Sequence, residues 1–425
     1  MSLLIPSRRQ FLLACAALAC EPPFAWARET GREVAPGRLR GGEILPTADF
    51  DQLAPNPYRF GVRPHRRGGV RLERVARPLE TPQGPKHLIH NYGHGGGGIT
   101  LAFGCADVVK GHVERIVAEA LRCPAERVSV AVIGAGVIGL AVASELKRWR
   151  PQLAVTVYAK NVDRRRRVDV AATTSWVAGG QFEPSGIWRE YWSDDEDDNR
   201  MEILHDLVAR SAARLRQLQA GGTARAYGIF ARRNYTLRRY DEDGDAIGSE
   251  GFDRGTPRSV IAAPAEGLLP FAQLRAVQGR EYRTWLIDPT ILLPRLVADL
   301  RKAAVRFEPR TLHTVDDVRA LPAQIIVNCT GLGAGTLFGD QNVVPIRGQL
   351  VILNNPSKIK YFFSGGCDAD AAYLFARSSD IVVGGTYEYN EAGAPSDEGA
   401  YATILRRATD IFAGRANCVR QNAVI

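Results

Sequence analysis

The stretch Val128-Ser-Val-Ala-Val-Ile133, followed at once by Gly134-Ala-Gly136-Val-Ile-Gly139, decides the fold of this chain. A continuous run of β-branched and apolar residues is typical of a strand that is buried on both faces. A helix is predicted from Val137 to Trp149, and a second β-rich run extends from Leu153 to Tyr158. The order strand, glycine loop, helix, strand predicts a unit that binds a dinucleotide.

The glycines of this loop have distinct roles in such a unit. Gly134 permits the tight turn, Gly136 lets the backbone approach a pyrophosphate, and Gly139 lets the helix pack closely on the strand. Val137 and Ile138 begin the helix, whose free N–H groups and positive dipole end suit an anionic group. We therefore expect these five residues to contact a dinucleotide.

The second strand departs from the usual pattern at its end. It closes with Tyr158-Ala-Lys160-Asn, without the acidic residue that usually holds a ribose 2′-hydroxyl. Lys160 is instead the candidate for contact with a phosphate or ribose oxygen. This position does not by itself choose between a nicotinamide and a flavin.

A second glycine-rich segment lies upstream, from Leu88 to Gly104, with the sequence LIHNYGHGGGGITLAFG. It predicts a short strand, a glycine loop and a helix that runs to about Leu121. The helix would direct its N-terminal N–H groups at an electron-rich group, such as the N1 and C2-carbonyl side of a reduced flavin ring. The residues expected at this second cofactor contact are Gly93, His94, Gly95, Gly96, Gly97, Gly98, Ile99 and Thr100.

No metal site is predicted. His90 and His94 are four residues apart, but in a glycine loop they do not share a helical face, and no third ligand is near in sequence. The seven cysteines include no CxxC pair, so neither a zinc site nor a dense disulfide framework is expected. One disulfide in an oxidising compartment remains open as an alternative.

Length and composition limit the class of protein. The 425 residues, 45% hydrophobic and 24% charged, suit one large interleaved core or two to three units of about 150 residues. This composition excludes a disordered, collagenous or coiled-coil chain. The net charge is +9, but the one dense basic run, Arg164 to Arg167, is offset by the acidic run Asp194 to Asp198. We interpret both as solvated loops and predict no nucleic-acid partner.

The N-terminus has the pattern of an export signal. Ser7-Arg-Arg-Gln-Phe-Leu12 places two arginines before an apolar run, and Ala25-Trp-Ala27 supplies a small-x-small cleavage pattern. Residues 1–27 therefore predict a twin-arginine signal peptide, whose translocation machinery exports folded proteins to the periplasm or the exterior. Lipid attachment at Cys20 is the alternative. The apolar run from Phe11 to Cys20 has ten residues, too few for the roughly 20 of a membrane-spanning helix.

Several motifs together resemble the D-amino-acid oxidase family, from about residue 58 onward. In chain order they are GVRPHRRGGVRLE (Gly61–Glu73), HNYGHGGGGITLAFG (His90–Gly104), VAVIGAGVIGLAVASEL (Val130–Leu146), TTSWVAGGQFEP (Thr173–Pro184), VNCTGLGA (Val327–Ala334), RGQL (Arg347–Leu350), YLFAR (Tyr373–Arg377) and VVGGTY (Val382–Tyr387). The resemblance implies an FAD cofactor. It also implies an α/β fold in which a Rossmann-like FAD-binding domain is interleaved with a mostly antiparallel substrate domain.

The order of these motifs is rotated relative to the family. Segments that close the usual chain come before the GxGxxG strand, which indicates a circular permutation with Arg122 to Arg127 joining the former ends. Permutation is tolerated where termini are close and the new break lies at the surface. We therefore predict that Val419 to Ile425 lies beside Tyr58 to Val62.

The resemblance assigns the site residues. Arg63 would bind the substrate carboxylate, for which arginine has the bidentate geometry. Tyr373 and Tyr387 match two strand tyrosines that face the substrate, the first as a hydrogen-bond donor and the second as a wall. Thr173, Thr174 and Ser175 begin the segment that lies along the pyrophosphate and flavin. Weaker candidates are Asn328 to Gly331, beside the dinucleotide, and Glu183, for the substrate amine.

The expected domain boundaries follow the same resemblance. Residues 28–57 would form a surface tether, 58–180 and 285–345 the FAD-binding domain, and 181–284 and 346–425 the substrate-binding domain. The oligomeric state is not predicted.

The predicted activity is oxidation of a D-amino acid. A hydride would pass from the α-carbon to flavin N5, the imino acid would hydrolyse to a 2-oxo acid and ammonia, and dioxygen would give hydrogen peroxide. Alternatives are an oxidase or dehydrogenase of another amino-carboxylate or secondary amine, a flavin-binding envelope protein without turnover, and a nicotinamide-dependent dehydrogenase. The last leaves the His90 to Gly104 segment unexplained.

Overall fold

The computed structural model describes residues 44–416 except 122–127, 194, 196–197, 238, 241–245, 248–253, 366–371 and 397. The signal peptide, Cys20 and the segment Val419 to Ile425 lie outside the described residues. Within the described part, no helix has the length and apolar character that crossing a membrane requires.

The described residues form seventeen strands and seven α-helices. The strands are β1 (Leu53–Arg66), β2 (Arg71–Arg74), β3 (His87–Tyr92), β4 (Ser129–Ile133), β5 (Ala154–Ala159), β6 (Ile229–Leu237), β7 (Arg239–Tyr240), β8 (Ala246–Ile247), β9 (Ala265–Leu268), β10 (Gln278–Ile287), β11 (Arg306–Pro309), β12 (Ile325–Asn328), β13 (Val343–Asn354), β14 (Tyr361–Gly365), β15 (Ala372–Ala376), β16 (Asp380–Gly384) and β17 (Glu388–Tyr389). The α-helices are α1 (Gly98–Ile116), α2 (Val137–Trp149), α3 (Arg200–Ala220), α4 (Pro289–Lys302), α5 (Val315–Arg319), α6 (Gly333–Phe338) and α7 (Gly399–Phe412). The mixed α/β class predicted from the sequence is confirmed.

The first sheet has the order β11-β5-β4-β12-β3-β2, parallel except for β2. Val130 and Val132 of β4 pack into the core formed with α1, α2, α3 and α4, whereas Ala131 and Ile133 pack with Val318 and other residues on the opposite face. Neither face of this strand is exposed to solvent, which explains why the apolar residues of β4 form a continuous run instead of alternating with polar residues. α2 has the predicted bounds, and α1 continues as a short π-helix to Leu121.

The second sheet has nine strands, with β1-β13-β16-β15-β14-β6-β10-β9 in order and β17 also paired with β13. Only β14 and β6 run parallel within it. One face packs against the apolar side of α7 and an aromatic cluster that includes Phe271 and Phe363. The other face carries Tyr373 and Phe375 and packs on Val177. This second face therefore looks toward the dinucleotide unit.

The two sheets meet where the upstream glycine loop leaves β3. His65 of β1 forms an isolated bridge with His94 of the loop, and Gln181 bridges to Leu286 of β10. The loop of the first sheet is thereby held against the edge of the second.

The N-terminal domain boundaries differ from the prediction, which made residues 28–57 a surface tether and placed residues 58–180 in the FAD-binding domain. Leu45 donates its N–H to the Pro270 carbonyl at 2.7 Å, and Ala48 lies in the core, so the chain joins the fold before residue 57. β1 lies in the nine-stranded sheet rather than with the dinucleotide unit. It occupies the sheet edge, the position that tolerates its prolines because one side of an edge strand makes no ladder hydrogen bonds.

Helix α3 was expected in the substrate-binding domain, because it lies within residues 181–284, but the structure places it in the other unit. It packs against α1 and α2 in the core of the first sheet, not with the antiparallel sheet. Gly104 of α1 makes this contact possible, since a Cβ there would lie 2.0 Å from the Leu207 carbonyl oxygen. The Gly104 N–H donates to the Ser211 hydroxyl at 2.8 Å.

Candidate active site

The loop after β4 leaves room for a ligand at one glycine. Gly134 has φ +113°, and a Cβ at Gly139 would lie 2.0 Å from the Gly134 carbonyl oxygen, so the helix rests directly on the loop. A Cβ at Gly136 would meet nothing closer than the Ser175 hydroxyl at 3.7 Å. The N-terminus of α2 has no side-chain cap from Gly136. Its N–H groups and dipole are therefore available to a bound phosphate.

The hydroxyl groups of Thr173, Thr174 and Ser175, which were predicted to lie along the cofactor, make different hydrogen bonds. Ser175 accepts a hydrogen bond from the Val137 N–H at 3.3 Å, so it lies at the end of the glycine loop, where the helix begins. Thr173 donates to the Val170 carbonyl, and Thr174 donates to the Val62 carbonyl of β1. Lys160 follows β5 and is exposed, and Ile138 is half-buried in the first turn of α2.

Most of the glycines between β3 and α1 are required by packing. A Cβ at Gly93 would lie 2.5 Å from the Arg66 Cβ, one at Gly96 would lie 2.7 Å from the Ser185 carbonyl oxygen, and one at Gly97 would lie 2.8 Å from the Ile187 side chain. A Cβ at Gly98, where α1 begins, would come no closer than 3.7 Å to its nearest described neighbour, His94. The helix end is therefore the open part of this segment.

His94, Ile99 and Thr100 are buried beside that helix end. Burial lowers the pKa of His94 to about 3, so its ring is neutral, and its Nε2 has no hydrogen-bond partner among the described residues. A buried ring nitrogen without a partner is costly. Thr100 fixes the loop to the next segment, because its hydroxyl donates to the Glu183 carbonyl at 2.8 Å and accepts from the Glu183 N–H at 2.9 Å.

The three predicted substrate residues lie together. Arg63 of β1 crosses β13 at Gly348, where a Cβ would lie 2.3 Å from its Nη1, and Nη1 donates to the Thr386 carbonyl at 3.1 Å. Its guanidinium lies 4.1 Å from the ring centroid of Tyr387. Tyr373 of β15 is buried beside Arg63, and burial raises the pKa of Tyr373 to about 12 although the Arg63 charge opposes the rise. It therefore stays protonated at physiological pH.

Tyr387 was expected on a strand but lies in the break between β16 and β17. Both of these strands pair with β13, and the chain leaves the ladder between them. The side chain is 48% exposed. It forms the outer wall of a cavity instead of a strand face.

This cavity of about 370 Å³ connects the arginine to the glycine loop. It is lined by Arg63, His65, Gly96, Gly186, Trp188, Arg189, Ile346, Tyr387 and Tyr389. Gly96 belongs to the loop and Arg63 to the second sheet, so a small molecule held by the arginine would lie next to the N-terminus of α1.

A buried carboxylate fastens β1 to β3 beside the cavity. Asp340 accepts hydrogen bonds from Arg66 at 2.8 Å and from Tyr92 at 2.7 Å. Burial opposes ionisation of Asp340, but bonds from Arg66, Tyr92 and the Asn342 N–H outweigh it and lower its pKa to about 2. Because the folded pKa lies below the unfolded value of about 3.9, the stabilisation is present above pH 4 and is lost between about pH 4 and 2.

We therefore expect Asp340→Asn to lower the free energy of unfolding by about 2 kcal/mol at pH 7. The difference from wild type should shrink as the pH falls toward 2. Urea unfolding at several pH values measures it. Asp316→Asn is the matched control, because Asp316 pairs with Arg319 at the surface with its side chain 83% exposed. Equal losses in the two variants would contradict the assignment.

Comparison with known proteins places the chain in a family. The profile of the FAD dependent oxidoreductase (DAO) family matches residues 129–423. The chain belongs to this family. A D-amino-acid oxidase of Streptomyces coelicolor is 27% identical over 286 residues, covering 65% of this chain and 76% of that protein. A D-amino acid oxidase of Dugesia ryukyuensis is 24% identical over 302 residues, covering 68% and 79%.

Solved structures show a more distant likeness. A glycine oxidase from Bacillus cereus has a TM-score of 0.46 and 14% identity, covering 70% of this chain and 80% of that one. An iminodiacetate oxidase from Chelativorans has a TM-score of 0.47 and 17% identity, covering 68% and 79%.

The residues of this flavoprotein fit FAD, the cofactor of the family. The space over Gly136 admits a pyrophosphate, and the N-terminus of α2 supplies backbone N–H donors, of which that of Val137 is bonded to Ser175. At the other glycine segment, the open start of α1 and the unpartnered Nε2 of His94 suit the polar edge of a flavin. The protein is an oxidoreductase of the amino-acid-oxidase type.

Six cavity residues of the oxidoreductase were missed in the sequence: His65, Gly186, Trp188, Arg189, Ile346 and Tyr389. His65 and Tyr389 are each two residues beyond a predicted site residue, so the two-residue period of extended chain would have placed them on the same side. Trp188 and Arg189 lie in a short 3₁₀ segment, Ile187–Tyr191, whose position depends on packing and gives no sequence signal. Glu183 contacts Tyr282 at 3.2 Å rather than lining the cavity.

Proposed function

We propose that this protein is an FAD-dependent oxidase of D-amino acids. The observation that carries the proposal is Arg63, whose guanidinium lines the cavity next to Gly96 of the flavin loop and has no acidic side chain bound to it among the described residues. Arginine binds carboxylates through two parallel hydrogen bonds. A substrate carboxylate on Arg63 would leave the α-carbon between this residue and the loop.

The chain positions the substrate and lowers water access. The Tyr373 hydroxyl lies beside Arg63 and can donate a second bond to the carboxylate, since its raised pKa keeps it protonated. Tyr387 and Trp188 contribute aromatic rings to the cavity lining. When bound, FAD would supply the hydride acceptor and would pass the electrons to dioxygen, with hydrogen peroxide as the product. The imino acid then hydrolyses to a 2-oxo acid and ammonia.

The preference for the D form is supported by the names of the curated relatives, which are D-amino-acid oxidases. The test is the visible spectrum of the purified protein, recorded anaerobically with D-alanine, D-phenylalanine, D-aspartate and D-glutamate and then with their L forms. Bleaching of the flavin band by the D forms alone is expected. An oxygen electrode then separates an oxidase from a dehydrogenase that passes electrons to a carrier.

Other outcomes favour the alternatives. Bleaching by glycine, iminodiacetate or another secondary amine, but by no D-amino acid, would favour an oxidase of another amino-carboxylate. Tight FAD binding without bleaching by any amine would favour a flavin-binding envelope protein without turnover.

Arg189 supports a preference for substrates with a second acidic group. It lines the cavity, contacts the Trp188 ring at 5.4 Å and forms no ion pair with a described residue. We expect Arg189→Leu to lower the ratio of kcat/KM for D-glutamate over D-alanine by about 5-fold, or about 1 kcal/mol for an exposed charge pair. Arg189→Lys is the matched control and should keep most of the ratio.

Added salt provides the check on this effect. Because Arg189 is exposed, the preference should weaken in 0.5 M salt, which screens surface charges. An unchanged ratio in Arg189→Leu would remove this residue from substrate selection.

We also propose the permuted chain order and the export route. In support of permutation, the family profile begins at residue 129, yet upstream of it β1 and β3 are strands of the two sheets and α1 packs in the core of the first sheet. Export through the twin-arginine route rests on the sequence of residues 1–27. Replacing Arg8 and Arg9 by lysine should leave the folded flavoprotein in the cytoplasm, and periplasmic recovery of that variant would contradict the assignment.

A further inference from the structure

Oxidation of an amino acid needs a free amine. At neutral pH the α-amino group is protonated, and an ammonium nitrogen has no electron pair with which to form the C=N bond as hydride leaves the α-carbon. One proton must therefore leave the nitrogen before or during hydride transfer. General bases in active sites contribute factors of about 10² to 10⁴ to such steps.

Among the described residues that line the cavity, His65 alone is suited to accept this proton. The guanidinium groups of Arg63 and Arg189 have no electron pair that can accept a proton, and a tyrosine phenol is a hydrogen-bond donor that already carries its proton. The remaining lining residues are glycine, isoleucine and tryptophan. The imidazole is the one group of this set that is normally basic near pH 7.

His65 is held in one orientation by a carboxylate. It lies on β1 two residues beyond Arg63 and is only 8% exposed. Its Nε2 is 2.9 Å from Glu190 Oε1, and Glu190 Oε2 accepts the Gly68 N–H at 2.7 Å. The carboxylate thus favours the tautomer in which Nε2 carries the hydrogen and Nδ1 has the free electron pair.

Nδ1 faces the glycine loop. A Cβ at Gly95 would lie 2.9 Å from it, so only glycine admits the ring at this distance. Nδ1 forms no hydrogen bond with the described residues. Gly96, the next residue of the loop, lines the cavity together with His65 and Arg63, so the ring lies where the cavity meets the loop.

We propose that His65 is the base that deprotonates the substrate amine, with Glu190 stabilising the imidazolium. One N–H bond of the ammonium breaks, its electron pair stays on the substrate nitrogen, and the proton moves to Nδ1. That electron pair then forms the C=N bond as the α-hydrogen departs with its own pair. The imidazolium returns the proton to water after the product leaves. The inference rests on the proposed function.

The charges around His65 come from several elements. β1 carries Arg63 and Arg66, and Arg66 is paired with Asp340. The 3₁₀ segment carries Arg189 and Glu190, and the loop carries the neutral His94. The lining also includes Tyr387 and Tyr389. Of these groups, Glu190 is the one in contact with the imidazole. Binding of the substrate carboxylate by Arg63 would neutralise the arginine two residues away on β1.

The experiment measures the rate of anaerobic flavin reduction between pH 6 and 10.5, with the fastest D-amino acid of the four tested above. We expect His65→Gln to slow reduction about 100-fold at pH 7. The loss should shrink to less than about 3-fold near pH 10, where the substrate amine is already free. Glu190→Gln should show a smaller loss, about 10-fold, that converges in the same way.

Controls separate catalysis from structure. FAD affinity and the midpoint of thermal unfolding are measured for each variant, and His313→Gln, an exposed histidine remote in sequence from the site, should behave as wild type. If His65→Gln does not fold, Glu190→Gln carries the test. A loss equal at every pH, or no loss at pH 7, would overturn the role of His65 while leaving the oxidase intact. A wild-type flavin that no amine reduces would overturn the proposed function itself.

Discussion

Replacing Arg63 by leucine should lower kcat/KM for the amino acid by roughly 30- to 1000-fold, which corresponds to about 2–4 kcal/mol for removal of one partner of a buried charge pair. The loss arises because the substrate carboxylate would enter a cavity whose remaining cation, Arg189, lies at the exposed rim. Tyr373 can donate a single neutral hydrogen bond and cannot replace the charge. Steady-state kinetics in air-saturated buffer measures the effect.

Arg63→Lys is the matched control for geometry. Lysine keeps the charge but lacks the planar fork that binds both carboxylate oxygens, so an intermediate loss is expected, mainly in KM. FAD binding should stay unchanged in both variants, because Arg63 contacts Thr386 and Tyr387 and not the loop after β4. Wild-type kinetics in Arg63→Leu would exclude Arg63 from the substrate site.

Alanine at Gly139 should prevent stable FAD loading, whereas alanine at Gly136 should weaken FAD binding without unfolding the protein. The Gly139 Cβ would lie 2.0 Å from the carbonyl oxygen of Gly134, and this obstacle is backbone, which cannot rotate away. Overpacking of this kind costs about 1–3 kcal/mol or more. At Gly136 the nearest atom is 3.7 Å away, so the methyl group would occupy only the ligand's space.

The pair is compared by thermal unfolding of the FAD-free proteins and by titration with FAD. We expect a lower unfolding midpoint for Gly139→Ala alone. Gly136→Ala should bind FAD at least 10-fold more weakly, since its methyl group meets the pyrophosphate. Wild-type FAD affinity in Gly136→Ala would show that the pyrophosphate does not pass over this residue.

The elements that the sequence predicted are those defined by local pattern. β4, α2 and β5 follow from a buried strand, a glycine turn and a helix of ordinary length, and their bounds agree within a residue or two. The edge position of β1 and the packing of α3 on α1 depend on contacts between distant segments. The residue patterns within Leu53–Arg66 and Arg200–Ala220 do not show which distant segments these two elements pack against.

The residues of the candidate site also fall into two groups: those that the sequence predicted and those that only the fold identifies. Arg63, Tyr373 and Tyr387 were predicted by resemblance, and the structure brings them together. Glu190 is an ordinary acidic residue in the sequence, and only the fold places it 2.9 Å from His65. Its partner His65 follows Arg63 and Pro64 in a basic stretch. In the sequence this histidine is therefore indistinguishable from one of several charged surface residues.

The pairing of β1 with β13 affects the order in which the protein can assemble during synthesis. Asn354 donates a hydrogen bond to the Leu53 carbonyl across 301 residues of sequence, so the edge strand emerges from the ribosome long before its partner exists. Contacts this distant along the chain delay folding, and an unpaired strand in the meantime invites aggregation. Pro55, Pro57 and Pro64 in β1 lack N–H groups and protect this strand from pairing with other nascent chains while it waits. A polypeptide that terminates before Val343 would have Arg63 but no β13 to hold it.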